Sequence, residues 1–334
     1  MAGTFRALVV DRQGDGVSLS EQAWTEAQLP PGEVTIRVQY SSVNYKDGLA
    51  VRADGRVARR YPLVPGIDLA GTVEASADAR FAPGQAVLVH GYDLGVSHHG
   101  GYAELARVPA DWVVPLPAGL TARQAMALGT AGFTAGLSVD RLEHMGLRPG
   151  TGPVLVTGAT GGVGSTAIAM LAKRGYEVAA STGSAEAHVY LRELGAQHIL
   201  DRAETSAASD RPLETMRWAG AVDAVGGSTL AYLLRTMKFG ASIALSGNTG
   251  GATLQTTVFP FILRGANVLG IDSVNLPLTQ RLEIWKRLAT DLRPPHLDES
   301  ISREVRLEDT PAVLADIYRG ATRGRVVVRV SGES

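Results

Sequence analysis

Residues 153–174, PVLVTGATGGVGSTAIAMLAKR, constrain the fold of this chain more than any other stretch. The run PVLV is short and apolar throughout, the pattern of a strand buried on both faces. Four glycines follow within seven residues, and then a helical pattern carries Val163, Ile168, Met170 and Leu171. Strand, tight turn and helix in that order open a βαβ unit, and YEVAA at residues 176–180 supplies its second strand at the expected distance. A turn that feeds a helix N-terminus brings its backbone against a bulky anion, an approach that a side chain at Gly161, Gly162 or Gly164 would obstruct. Unpaired N–H groups of the first helical turn, with the helix dipole, favour a pyrophosphate there. The stretch reads as a dinucleotide site, the alternative being a glycine turn kept for structure alone.

The end of the second strand chooses between nicotinamide cofactors. NAD sites usually place an acidic residue about 20 residues beyond the glycines, on the ribose 2′-hydroxyl. This chain has Ser181, Thr182, Gly183 and Ser184 there, with no carboxylate to repel a 2′-phosphate, so NADPH is the expected cofactor. Arg202, just after the apolar run HIL, is the nearest candidate cation, or else a solvated loop charge.

A length of 334 residues accommodates two domains with separate cores. A net charge of -1 provides no electrostatic reason to expect nucleic acid or a membrane surface as partner. The start, MAGTFRALVVDRQ, has neither a signal-peptide core nor an arginine-rich transit pattern, so a cytoplasmic location is expected. The absence of cysteine excludes disulfides, thiolate catalysis and sulfur-ligated zinc. His98 and His99 are adjacent rather than at helical spacing and there is no HExxH motif, so no metal is expected.

Up to about residue 120, short β-like runs (RALVV, EVTIRVQYSSV, GTVEA, AVLVH, YAELARV) alternate with turn signals such as PPGE and APGQ, the pattern of an antiparallel, partly barrel-like domain. Within it residues 44–62, NYKDGLAVRADGRVARRYP, form a polar and basic excursion that no core would need. From Thr121 the period becomes helical, and after the glycine turn strands and helices alternate to about residue 270, which indicates an α/β, doubly wound parallel sheet. The remainder holds an amphipathic helix, TQRLEIWKRLATDL, with Leu282, Trp285, Leu288 and Leu292 on one face, a second helix near residues 312–318, and a last strand, RVVVRV. That strand needs a sheet to join, and the N-terminal domain can supply one. The expected division is residues 1–122 and 271–334 in one domain and 123–270 in the dinucleotide domain. A ligand cleft is expected at the carboxyl ends of the parallel strands.

Six stretches, SSVNYKDGLA, YPLVPGIDLAGTV, GGYAELARV, ALGTAGFTA, VLVTGATGGVGS and FPFILRGANVLGIDSV, together resemble the medium-chain dehydrogenase/reductase superfamily. Within it they are similar to the zinc-free, quinone-oxidoreductase-like branch that contains the acrylyl-CoA reductases, with NYKD and FPFILRG the most branch-specific pieces. The resemblance implies a GroES-like catalytic domain built from both chain ends around a central Rossmann domain, and commonly a homodimer. It implies NADPH-dependent reduction of a carbon–carbon double bond conjugated to a carbonyl, in this subgroup acryloyl-CoA to propanoyl-CoA. Carried onto matching positions, the implied cofactor contacts are Tyr45, Thr160, Gly161, Gly162, Val163, Thr182, Gly183, Ser184, Arg202, Asn248, Ile262, Ser273 and Gly320. Relatives often carry arginine at the position of Ser184, and its absence shifts the 2′-phosphate onto hydroxyls and Arg202.

Enoyl thioester reduction needs hydride at the β-carbon, negative charge held on the carbonyl oxygen and a proton at the α-carbon. Tyr45 is the leading candidate to orient the substrate or relay the proton, the alternative being a ring that only packs on the cofactor. Asn44 is the second catalytic candidate. Asn44 and Asp47 are read either as positioning groups or as a strand-end turn with Asp47 capping a helix, Asp68 as a structural hydrogen-bonding group or a catalytic one, and Lys46 as solvated. Arg52, Arg56, Arg59 and Arg60 suit the phosphates of coenzyme A, Arg59 and Arg60 above all, or are simply solvated. The competing functions are an NADPH:quinone reductase of the same fold and a non-catalytic NADPH-binding protein.

Overall fold

The computed structural model of the chain describes residues 3–295, 297–298 and 302–331. Seven strands come first: β1 (Thr4–Gln13), β2 (Gly16–Thr25), β3 (Val34–Val43), β4 (Asp68–Ser76), β5 (Ala86–His90), β6 (Leu105–Val108) and β7 (Val113–Pro115). Six more follow, β8 (Val154–Val156), β9 (Val178–Thr182), β10 (His198–Asp201), β11 (Trp218–Asp223), β12 (Met237–Leu245) and β13 (Asn267–Gly270). The chain then returns with β14 (Ser302–Arg306) and β15 (Arg325–Arg329). The helices that bear on the site are α1 (Tyr45–Ala50), α2 (Ala122–His144) and α3 (Gly162–Lys173).

Two compact units result, Met1–Thr130 with Val274–Ala289 and Leu297–Ser334, and Ala131–Ser273 with Thr290–His296. The first division lies next to Gly129, where α2 leaves helical geometry (φ 51, ψ -158). The helical period of the sequence continues across that break, so periodicity marks the division at 122 and not at 130. Among the described residues no helix is long and apolar enough to cross a membrane.

In the first unit the strand order is β14-β15-β3-β4-β5-β7, with β6 also paired to β3 and β1–β2 forming a separate hairpin. The β-branched run of β15 lies antiparallel to β3, Val326 opposite Val43, so the two chain ends build one sheet. Leu8, Ile36, Leu69, Val89, Tyr102, Val326 and Val328 belong to its core. Two sequence expectations fail in this unit. On the helix Leu278–Ala289, Leu282 is 39% exposed, and the buried face is Arg281, Ile284, Trp285 and Leu288. Arg281 goes inside because its guanidinium donates to the carbonyls of His90 (2.9 Å) and Val274 (3.0 Å) and lies over the Tyr92 ring. The excursion at residues 44–62 is also not free of the core, since Asp47, Gly48 and Ala50 are buried.

The second unit is a six-stranded sheet in the order β10-β9-β8-β11-β12-β13, each neighbouring pair parallel. The chain starts at β8 in the middle, winds outward through β9 and β10, then crosses to β11, so the order reverses beside β8. Ligands bind such sheets at the carboxyl ends of the strands where the order reverses.

Candidate functional site

The glycine turn leaves β8 and enters α3 directly. Gly161 is the N-cap of α3 with no side chain to cap it, so the first-turn N–H groups keep their capacity for an external acceptor. Gly158 holds φ +58, a conformation that glycine adopts without steric cost. The glycines do different work. A Cβ on Gly164 would stand 2.4 Å from the Gly158 carbonyl oxygen and 2.8 Å from Ala159 Cα, so Gly164 is required by the close packing of helix on turn. On Gly161 the nearest atom to a Cβ is the same oxygen at 3.4 Å, an ordinary contact, and the position is open. Gly161 is the position that a bulky anion would use.

Thr182 ends β9, and its hydroxyl accepts from the Ser184 N–H (3.1 Å). Arg202 follows β10, where Asp201 accepts from the Ala203 N–H (2.7 Å) and caps the short helix that Arg202 begins. A Cβ on Gly183 would lie 2.6 Å from Arg202 Nη2, so the guanidinium lies across the face that glycine leaves bare at the end of β9. Arg202 is therefore packed against the strand end that reads the adenosine ribose in such sheets. Asn248 lies in the exposed loop after β12, and Ser273 follows β13, buried, accepting from the Thr134 hydroxyl (2.9 Å). Thr160 to Val163, Thr182 to Ser184, Arg202, Asn248 and Ser273 thus all follow carboxyl ends of the parallel strands. Ile262 does not: it is 67% exposed on the helix Phe259–Arg264, in an apolar run with Val258, Phe259, Phe261 and Leu263.

Sequence reasoning missed Asp223, at the end of β11. It is buried, accepts from Thr157 Oγ1 (2.5 Å) and from the N–H groups of Val225 (2.9 Å) and Gly226, and burial pushes its carboxyl above the ordinary range. A carboxylate that closes an apolar strand, AVD, was the available signal.

In the first unit the β3–α1 junction carries Asn44 and Tyr45. Tyr45 is half-exposed, and its ring stacks on Tyr318 (6.3 Å between centroids, 10°), over which the Arg52 guanidinium also lies (4.0 Å). Gly320, at φ 70, turns the chain just after Tyr318. Asn44 is buried, and its amide is committed on both sides: Nδ2 donates to Asp68 Oδ2 (2.7 Å) and Oδ1 accepts from Arg325 Nη1 (3.1 Å). Both ends of the Asn44 amide are thus engaged by side chains of the same unit. Asp47 caps α1 by accepting from the Asn44 N–H (2.8 Å) and also accepts from the Ile67 N–H (2.9 Å). Asp68 is a hydrogen-bonding hub, accepting from Ser42, Asn44 and Thr130.

Asp47 is fully buried, and burial first, then the neighbouring Asp68, pushes its carboxyl up to about 7. A carboxyl whose folded-state pKa lies above its unfolded value stabilises the fold fully below the unfolded value, about 4, and loses that contribution as pH rises through the folded one. The melting-temperature advantage of the wild type over Asp47→Asn is therefore expected to shrink between about pH 4 and about pH 7. A pH-independent difference in differential scanning calorimetry would contradict the assignment.

Arg52, Arg59 and Arg60 of the excursion each face a different partner. Arg52 pairs with Asp54 (2.9 Å), and Arg59 is exposed with Asp93 at 3.9 Å. Arg60 Nη2 lies 3.3 Å from His99 Nε2. Because the Val64 N–H donates to His99 Nδ1 (3.2 Å), the neutral ring carries its proton on Nε2 and gives Arg60 no acceptor. Burial and then Arg60 lower His99 to about 4, which keeps it neutral.

A parallel sheet with a glycine turn at its switch point, in a chain that also has a β unit built from both chain ends, is the architecture of the nicotinamide-dependent dehydrogenases and reductases. Residues 30–118 match the alcohol dehydrogenase GroES-like domain and residues 162–289 the zinc-binding dehydrogenase domain. The acrylyl-CoA reductase AcuI of Ruegeria pomeroyi is 54% identical over 329 residues, 98% of this chain and 99% of that protein. Among solved structures, YhdH of Salmonella enterica in complex with NADP is 49% identical with a TM-score of 0.95 over 98% of this chain and 100% of that one. YhfP of Bacillus subtilis with NAD bound is 50% identical with a TM-score of 0.96 over the same shares. The chain belongs to the quinone-oxidoreductase-like branch of the medium-chain dehydrogenase/reductase superfamily, in the subgroup of AcuI, YhdH and YhfP. The second domain's description names zinc, but the chain has no cysteine, and among the described residues no three His, Asp or Glu side chains gather as a ligand set. These residues do not fit a zinc site.

Proposed function

We propose that the chain is an NADPH-dependent enoyl-CoA reductase whose substrate is acryloyl-CoA or a similarly short enoyl thioester. The observation that carries the cofactor choice is Arg202, laid over Gly183 at a strand end without a carboxylate. AcuI's name and the NADP in the YhdH structure support the reading, and the NAD in YhfP makes the Arg202 side chain the point to test. When bound, NADPH supplies the hydride. The N–H groups at the start of α3 hold its diphosphate, Arg202 and the hydroxyls of Thr182 and Ser184 hold the 2′-phosphate, and Asn248, Ile262, Ser273 and Gly320 make the remaining contacts. Tyr45 touches the nicotinamide and orients the thioester carbonyl or returns the proton to the α-carbon. Arg59 and Arg60 bind coenzyme A phosphates through donors that Asp93 and His99 leave largely available. The active protein is a homodimer in the cytoplasm.

A second reading, quinone reduction, is favoured by the name of one relative, 50% identical over 330 residues, which contains the words quinone oxidoreductase. One assay separates the readings: NADPH absorbance followed with acryloyl-CoA, crotonyl-CoA, a quinone and a small free enone. Turnover of thioesters in preference to the quinone is expected, and quinone turnover alone would overturn the reading. Replacing Arg59 and Arg60 together by Ala is expected to raise KM for acryloyl-CoA roughly tenfold, the effect of two exposed cations on phosphate, with the free enone unaffected. Equal losses on both substrates would remove the coenzyme A role.

A further inference from the structure

Beneath the β3–α1 junction five segments of the first unit converge on one buried polar network. Arg325 donates through Nη1 to the Val43 carbonyl (3.2 Å) and Asn44 Oδ1 (3.1 Å), through Nη2 to Ser42 Oγ (2.8 Å) and through Nε to the Ala127 carbonyl (3.1 Å). Its Nη2 lies 3.7 Å from Asp68 Oδ2. Asp68 in turn accepts from Ser42 Oγ (2.5 Å), Asn44 Nδ2 (2.7 Å) and the Thr130 N–H (3.0 Å). Tyr102 OH donates to the Ser42 carbonyl (3.1 Å). The helix break at Gly129 accommodates this arrangement: a Cβ there would stand 2.5 Å from Asp68 Oδ2 and 2.6 Å from Arg325 Nη2.

Stability alone does not account for such a network. Asp47, Asp68 and Arg325 are buried together, and taking charges out of water costs about as much as their attraction returns, so apolar residues of similar volume would serve a core as well or better. What the network does supply is direction. Ser42, Val43 and Asn44 are each held by Arg325, Asp68 or both, and Tyr45 is the next residue along. We propose that Asp68 and Arg325 are positioning residues for the reduction, acting through Ser42 and Asn44 to fix where the chain leaves β3 and hence where Tyr45 is presented. The inference rests on Tyr45 facing the reaction, as under the proposed function.

Arg325→Lys keeps the charge and loses the fork that reaches two residues of β3 and Asn44 at once. Ser42→Ala removes only the hydroxyl that links Arg325 to Asp68. In both, NADPH affinity and KM for acryloyl-CoA are expected to stay close to wild type. The loss falls on kcat, about tenfold or more in Arg325→Lys and about threefold to tenfold in Ser42→Ala, as small misplacements of a reacting group produce. Fluorine NMR of fluorotyrosine-labelled protein, with the Tyr45 signal assigned by Tyr45→Phe, reads the placement directly, and that signal is expected to shift or broaden in both variants. A lowered melting temperature with unchanged kcat and an unchanged Tyr45 signal would mark a purely structural network and overturn the proposal. Ser42→Ala decides the matter if Arg325→Lys does not fold. If the wild type turns over none of the acceptors, the reductase reading falls and the Tyr45 signal alone decides the positioning role.

Discussion

A methyl group on Gly161 is expected to weaken NADPH binding by about 100-fold or more, the equivalent of losing two charge-assisted bonds from backbone N–H groups to phosphate. The fold is expected to survive it. Gly161 has φ -77 and ψ 173, which alanine adopts freely, and the new Cβ meets nothing closer than the Gly158 carbonyl oxygen at 3.4 Å. Gly164→Ala should behave in the opposite way. Its Cβ would overlap backbone at 2.4 Å and 2.8 Å, atoms that no side-chain rotation can move, so the turn and α3 must separate at a cost of about 1–3 kcal/mol. Calorimetry of unfolding and NADPH titration on both variants separates the roles. If Gly161→Ala bound NADPH normally, the first turn of α3 would not be the diphosphate cradle, and the cofactor reading would fail at its centre.

Arg202→Ala is expected to raise the dissociation constant for NADPH about 10- to 100-fold and leave that for NADH unchanged, because a cation hydrogen-bonded to phosphate contributes about 1.5–3 kcal/mol. The guanidinium already lies over Gly183, so little ordering is needed when the ligand arrives. Position 184 is Ser, so under the proposed function the 2′-phosphate is expected to depend more heavily on Arg202. Parallel losses for NADPH and NADH would show that Arg202 shapes the end of β9 without reading the phosphate.

The parts of the site that were legible in the chain are those whose chemistry is local. The glycine turn, the strand after it and the hydroxyl-rich segment 181–184 occupy one continuous βαβ unit, and each is specified by neighbours a few residues away. The capping role of Asp47 was legible for the same reason, three residues from Asn44. The partners of Asn44 and Asp68 were not. Arg325 stands 281 positions from Asn44, and in sequence it is only the first residue of an apolar strand. The exchange of Leu282 for Arg281 on the buried face of its helix has a related cause: hydrophobic periodicity assigns arginine to solvent, and only the assembled pocket of carbonyls and the Tyr92 ring makes its burial tolerable.

Periodicity and short motifs by themselves determined a doubly wound sheet with a glycine turn entering a helix and a β-rich second unit closed by the last strand, because a backbone turn and a strand's buried faces are set by adjacent residues. Only the tertiary structure decided which charged groups lie inside and what they hold. The energy of a buried ion depends on every atom around it, and those atoms come from segments that chain order leaves far apart.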